Sequence, residues 1–156
     1  MSEIRKLTTD QWPVWRDVRL RALEEDPAAF GSTLADWSGS GDSKERWSER
    51  LDNVAANFVA FLPGGPVGQV SGGRTEQSAH VELMSMWVAP EARGTGVGDA
   101  LVEAVERWAR ELGAESVALS VKVDNRPAIR LYERKGFARA STPARDGEYE
   151  MVKSLR

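Results

Sequence analysis

Val88-Ala89-Pro90-Glu91-Ala92-Arg93-Gly94-Thr95-Gly96-Val97-Gly98 is the stretch on which the reading of this chain turns. Before it, Ala79 to Val88 reads as a strand that Ala89-Pro90 ends. After it, Leu101, Val102, Val105, Trp108 and Leu112 recur at helical spacing, and Gly113 stands where a helix C-cap glycine belongs. Between the two lie alternating glycines at 94, 96 and 98. A helix start carries unpaired N–H groups and about half a positive charge, and glycines let an anion reach that backbone closely. Arg93 adds a cation suited to a charge-assisted contact. A plain tight turn is the alternative; three alternating glycines between a strand and a long helix favour a phosphate site. The dinucleotide pattern G-x-G-x-x-G fails, because Asp99 and Leu101 occupy the third glycine's places. The P-loop pattern fails because no Gly-Lys-Ser/Thr follows.

Working outward, Glu3 to Leu7 alternates as a short strand, and Thr8 with Gln11 forms a capping-box pattern. Trp12, Trp15, Val18, Leu20 and Leu23 follow helical spacing up to Pro27. A second helix is expected from Lys44 to Leu51, capped by Asp42 or Ser43. Asn57 to Leu62 and Val67 to Gly73 form a hairpin across Pro63-Gly64-Gly65-Pro66. Ser116 to Val123 reads as a buried strand. Asp124 or Asn125 caps the next helix, which ends near Gly136. Two strands close the chain, near Phe137 to Ala140 and Tyr149 to Lys153. The order β-α-α-β-β-β-α-β-α-β-β predicts an α/β protein with one mixed, mostly antiparallel sheet of six to seven strands flanked by helices. Its parallel pair joins the strands at either end of the Ala79–Val123 unit.

Composition excludes several classes. The chain of 156 residues has 21 Lys plus Arg against 24 Asp plus Glu, a formal net charge of −3, which argues against nucleic-acid binding. The length suits one domain spanning 1–156. Cysteine is absent, so disulfides, thiol nucleophiles and thiolate metal sites are ruled out. His80 is the sole histidine, which rules out a multi-histidine zinc site, and no metal is expected. No apolar run is long enough to span a membrane, and the opening MSEIRKLTTD lacks the apolar region of a signal peptide; a cytoplasmic protein is expected.

The stretch from Val88 to Gly98, followed by Ala100-Leu101, resembles the acetyl-CoA-binding motif of the GNAT superfamily of N-acetyltransferases. A second segment agrees. Asn125-Arg126-Pro127-Ala128-Ile129-Arg130-Leu131-Tyr132-Glu133-Arg134-Lys135-Gly136-Phe137 is similar to that family's N-x-x-A-x-x-x-Y-x-x-x-G-F segment. The close resemblance covers Glu82 to Phe137, and the element order extends it over nearly the whole chain.

The resemblance implies an acetyl-CoA-dependent N-acetyltransferase. By the same implication, backbone N–H groups of Arg93, Gly94, Thr95, Gly96, Val97 and Gly98 cradle the pyrophosphate. The backbone of Met86, Trp87 and Val88 pairs with the pantetheine arm, and a neighbouring strand has to splay away to free that edge. Asn125 touches the cofactor, and also reads as a helix N-cap. Tyr132 protonates the departing thiolate, against the alternative of a core tyrosine. Glu82 takes the position of the general base in some relatives, where apolar burial raises its pKa; an exposed strand glutamate is the alternative, with His80 or a water chain as other routes. Asp99 departs from the small or uncharged residue usual there, and a carboxylate turned inward repels phosphate. With no cysteine, direct transfer in a ternary complex is expected.

The acceptor pocket implied by the family falls at Phe30 to Asp42 and Ser141 to Glu148. Phe30, Trp37 and Asp36 have the chemistry to hold a cationic amine, although a solvated loop anchored by its tryptophan is the favoured reading there. Candidate acceptors are small amines, amino acids, antibiotics and protein N-termini. Homodimerisation, another acyl-CoA donor and a non-catalytic CoA sensor all remain open from sequence.

Overall fold

The computed structural model describes residues 2–27, 30, 33–75, 79–140 and 146–156. A single seven-stranded sheet organises them, with β1 (Glu3–Lys6), β2 (Ala56–Leu62), β3 (Gly65–Arg74), β4 (His80–Val88), β5 (Ser116–Lys122), β6 (Ala138–Arg139) and β7 (Glu148–Ser154) in the order β1-β2-β3-β4-β5-β7-β6. Only β4 and β5 run parallel, as the strand–helix–strand unit predicts. The helices are α1 (Trp12–Glu25), α2 (Lys44–Asn53), α3 (Val97–Glu111) and α4 (Arg126–Arg134).

Local chemistry sets the element ends. The Thr8 N–H donates to Gln11 Oε1 at 2.9 Å, closing a 3-10 turn over Thr9–Gln11, so α1 begins at Trp12 rather than directly after Thr8. The Ser43 hydroxyl accepts from the Arg46 N–H at 3.2 Å and starts α2. The Asn125 side chain accepts from the Ala128 N–H at 3.3 Å and starts α4. Gly113, at φ 78°, takes the left-handed conformation that ends α3.

The core lies between the sheet and the helices on its two faces. On one face, Trp108 of α3 lies so close to β3 that a Cβ at Gly72 would stand 2.5 Å from its ring. On the other, α1 and α2 bring the fully buried Trp15 and Trp47 against the sheet. Asp42 ties these helices together: Arg16 Nη2 donates to Asp42 Oδ2 at 2.6 Å and Trp47 Nε1 to Asp42 Oδ1 at 2.8 Å. α4 sits beside α3, with Arg134 paired to Asp99 at 2.7 Å and Lys135 to Glu103 at 2.6 Å.

Candidate active site

β4 breaks its own alternation. Its register against β3 runs Gly72↔Leu83 and Ser71↔Met84, then resumes as Gln69↔Trp87 and Gly68↔Val88. Ser85 sits in that bulge at φ 57°, the one described non-glycine residue in the left-handed region. Gln69 Nε2 pins it by donating to the Ser85 carbonyl at 2.8 Å. The inserted residue reverses the side-chain parity. Leu83, Met86 and Val88 face α3, while Met84 and Trp87 face α1 and α2. An uninterrupted strand would have put Met84, Met86 and Val88 on one face.

Just before the bulge β4 also loses its parallel neighbour. β4 and β5 pair only at His80↔Ser116, Val81↔Val117 and Glu82↔Ala118. β5 then turns wholly to β7, with which it pairs from Ser116↔Ser154 to Lys122↔Glu148. The β4 edge from Leu83 to Val88 is left facing a cavity of about 680 Å³, well within the size of small-molecule sites.

At one end of this cavity the chain enters α3. The first helical hydrogen bond there runs from the Ala100 N–H to the Gly96 carbonyl at 3.0 Å, so the N–H groups of residues 97 to 99 precede the ladder. Gly94 and Gly96 hold φ 77° and 91°, and a Cβ at either would meet nothing within 4 Å, which leaves open space above the turn. Gly98 is different: a Cβ there would lie 3.2 Å from Leu131 Cδ2 and 3.6 Å from Met86 Cε. Glycine here keeps the α3 entrance flush with the cavity wall. The Thr95 hydroxyl donates to the Ala92 carbonyl, and Val97 is buried in the core. Neither side chain borders the cavity, so any contribution they make there is through the backbone.

Arg93 borders the cavity with its guanidinium already engaged: Nε donates to the Val88 carbonyl at 3.0 Å and Nη2 to Asp26 Oδ2 at 2.9 Å. Asp26 also accepts from Trp87 Nε1 at 2.6 Å. Asp99 borders the same end, and the Arg134 guanidinium offsets its charge in the exposed pair with α3.

Tyr132 lines the cavity between the glycine turn and the bulge and is 5% exposed. Burial raises its phenol well above the ordinary value of 10.0, so it stays a neutral O–H donor. Its ring meets Phe137 edge-on, centroids 5.8 Å apart. Asn125 reaches the cavity while also capping α4, so its two readings coexist.

Glu82 lies elsewhere. It is exposed, paired between Gly73 and Ala118, and does not border the cavity. The apolar burial that would fit it as a base is missing, because Glu82 sits on the exposed stretch of β4 where the strand still pairs with Ala118. His80 Nδ1 contacts the Ser116 hydroxyl, away from the cavity. Trp37 stacks on Trp47 at 4.3 Å with Arg46 above its ring, and the Asp36 carboxylate accepts from the Thr33 N–H at 3.0 Å. Neither Trp37 nor Asp36 lines the cavity. Phe30 does, but Arg19 already covers one of its faces at 4.6 Å. Residues 31, 32 and 141–145 of the expected acceptor region lie outside the described residues.

Sequence reasoning missed Ser85, Arg134, Arg19 and Arg50. Arg19 carried a legible signal, since it falls on the buried stripe of α1 with Trp15, Ala22 and Leu23. Ser85 carried none, because serine has no preference that marks a left-handed bulge.

A seven-stranded mixed sheet that splays at its one parallel pair, with a bare helix start at the opening, is the architecture of acyl-CoA N-acyltransferases. The acetyltransferase (GNAT) family model matches residues 3–137, and the chain belongs to that family. Over 130 residues it is 45% identical to a mycothiol acetyltransferase of Pseudarthrobacter chlorophenolicus, which covers 80% of this chain but 38% of that protein. It is 32% identical over 118 residues to the streptothricin acetyltransferase of Streptomyces lavendulae, covering 75% of this chain and 62% of that one. Among solved structures, the PaiA N-acetyltransferase of Thermoplasma acidophilum in complex with coenzyme A superposes with a TM-score of 0.78 at 20% identity, covering 99% of both chains. Among the described residues no helix is long and apolar enough to cross a membrane, and no three His, Asp or Glu side chains are grouped to hold a metal ion.

Proposed function

We propose that this chain moves the acetyl group of acetyl-CoA directly to a primary amine while both are bound. The observation that carries the reading is the separation of β4 from β5 after Glu82↔Ala118, which opens a strand edge onto a cavity floored by the α3 entrance. Acetyl-CoA supplies a thioester whose carbonyl carbon accepts a nucleophile and whose sulfur leaves as thiolate.

The chain's own part is to hold and orient. Of the N–H groups at residues 93–98, that of Arg93 donates to the Pro90 carbonyl at 3.3 Å and the others suit the pyrophosphate, while the backbone of Met86, Trp87 and Val88 suits the two amides of pantetheine. The absence of cysteine removes a thiol relay, so the amine attacks the acetyl carbon itself. Orienting the two reactants can account for several kcal/mol of barrier lowering. Tyr132 then gives its proton to the leaving sulfur. The amine's proton goes to water, because the two carboxylates that border the cavity among the described residues, Asp26 and Asp99, are held by Arg93 and Arg134. The acceptor is an amine of a small molecule or of a peptide.

A thiol-release assay with acetyl-CoA across a panel of amines tests this reading. Thiol release that depends on an amine supports it. Binding of acetyl-CoA without release for any amine would leave a sensor rather than an enzyme.

A further inference from the structure

Among the described residues, two arginines behind the bulge have no counter-charge. Arg19 of α1 is 7% exposed, and its Nη1 is buried with no hydrogen-bond partner. Its guanidinium lies 4.6 Å over the ring of Phe30, a cavity residue. Arg50 of α2 donates to Asn57 Oδ1 at 2.9 Å, Ser71 Oγ at 3.2 Å and Ser85 Oγ at 3.4 Å, all neutral acceptors. Ser85 also borders the cavity. Among the described residues neither arginine has a carboxylate within 4.0 Å.

Their neighbours are treated differently. On the same helix, Arg16 pairs with Asp42 at 2.6 Å and Arg21 with Glu91 at 2.6 Å, while Arg93 pairs with Asp26 at 2.9 Å. These three more exposed arginines have acids, and the two buried ones do not. Burial lowers both guanidinium groups from the ordinary 12.5 to about 10, and Arg19 also feels the charge of Arg50. Both stay charged at neutral pH. A network built only to stitch β2, β3 and β4 together accounts for the three hydrogen bonds of Arg50. It leaves the orphaned Arg19 nitrogen unexplained. The strained backbone of Ser85 between this pair and the cavity is the kind of feature that persists at ligand sites.

We infer that the acceptor is an amino acid, an amine that also carries a carboxylate, and that Arg19 and Arg50 take the carboxylate at the Ser85–Phe30 end of the cavity. A planar carboxylate matches the guanidinium fork and supplies the missing negative charge. This rests on the acetyl-transfer reading above, whose amine it specifies.

The test compares each of the common amino acids with its own carboxamide, on the wild-type protein at saturating acetyl-CoA. At least one acid should exceed its amide by about tenfold in kcat/KM, mainly through KM, because the amide lacks the charge the site is built for. Arg50→Gln and Arg19→Gln should each reduce that preference while leaving the KM for acetyl-CoA unchanged. Melting temperatures of the CoA-bound wild type give a readout free of turnover: acids should raise them and amides should not. Amides used as well as acids throughout, or no acid raising the melting temperature above its amide, would overturn the inference while leaving acetyl transfer intact. A protein that neither binds acetyl-CoA nor releases thiol would instead remove the acetyl-transfer reading itself.

Discussion

Tyr132 and Gly98 show how single residues earn their place here by what surrounds them. A tyrosine on an apolar helix face reads equally as core or as acid, and its position on the cavity wall favours the second. Tyr132→Phe keeps the ring contact with Phe137 and removes only the hydroxyl. We expect kcat to fall by about 10²-fold or more with little change in acetyl-CoA affinity, as stopped thiol-release assays and ligand titration would show. Wild-type turnover would return Tyr132 to the core. Because burial raises the phenol, it remains protonated through pH 9, so any loss of kcat on the alkaline side below that pH belongs to another group. Gly98 lacks a side chain because Leu131 and Met86 stand where a larger one would go. Gly98→Val should push branches into the cavity floor and abolish stabilisation by acetyl-CoA while the far-ultraviolet circular dichroism stays that of the wild type. Asp99, unexpected at the proposed phosphate site, is paired with Arg134, which no pattern along the chain links to it.

At the scale of elements, helix docking depends on a few polar and steric contacts. Asp42 joins α1 to α2, and the hydrogen bond from Arg16, then that from Trp47, holds its carboxyl down to about 2 from an ordinary 3.8. A depressed carboxylate contributes stability that is complete above its unfolded value and is lost as the pH falls through the folded one. Asp42→Asn should therefore lower stability at neutral pH and flatten the acid unfolding curve between about pH 4 and 2 relative to wild type. An unchanged curve would mean that α2 docks without this link. On the opposite face, α3 approaches β3 through the space at Gly72. Gly72→Ala sets a methyl against the Trp108 ring and should cost about 1–3 kcal/mol in urea unfolding. The bulge at Ser85 acts on the same scale, turning Met86 and Val88 toward α3.

For the whole molecule, the consequence of a ligand-binding cleft cut into the sheet is linkage between folding and binding. Acetyl-CoA at a hundred times its dissociation constant should add about 2.7 kcal/mol of stability. For a chain of 156 residues that amounts to a rise of roughly 5–10 °C in Tm, readable by calorimetry. No shift at millimolar acetyl-CoA would remove the coenzyme from this cavity. The same cleft would divide labour across the sheet on the proposed reading, with the coenzyme on the α3–α4 side and the acceptor toward the α1–α2 side.

Periodicity and caps along the chain determined the element order, the parallel β4–β5 pair and the glycine turn, because each depends on neighbours within a few residues. The Asn125–Phe137 segment was legible for the same reason: its cap, its proline and its closing glycine at φ 95° are local devices. Only the tertiary structure decided where β4 and β5 part, since that depends on β7 drawing β5 away and on the bulge turning β4. It alone turned Met86 and Val88 toward α3, since one inserted residue reverses every side chain beyond it and serine gives no sign of that insertion. It alone brought Arg19 and Arg50 together with no acid among the described residues, because charge balance in a folded interior is set by residues far apart in the chain.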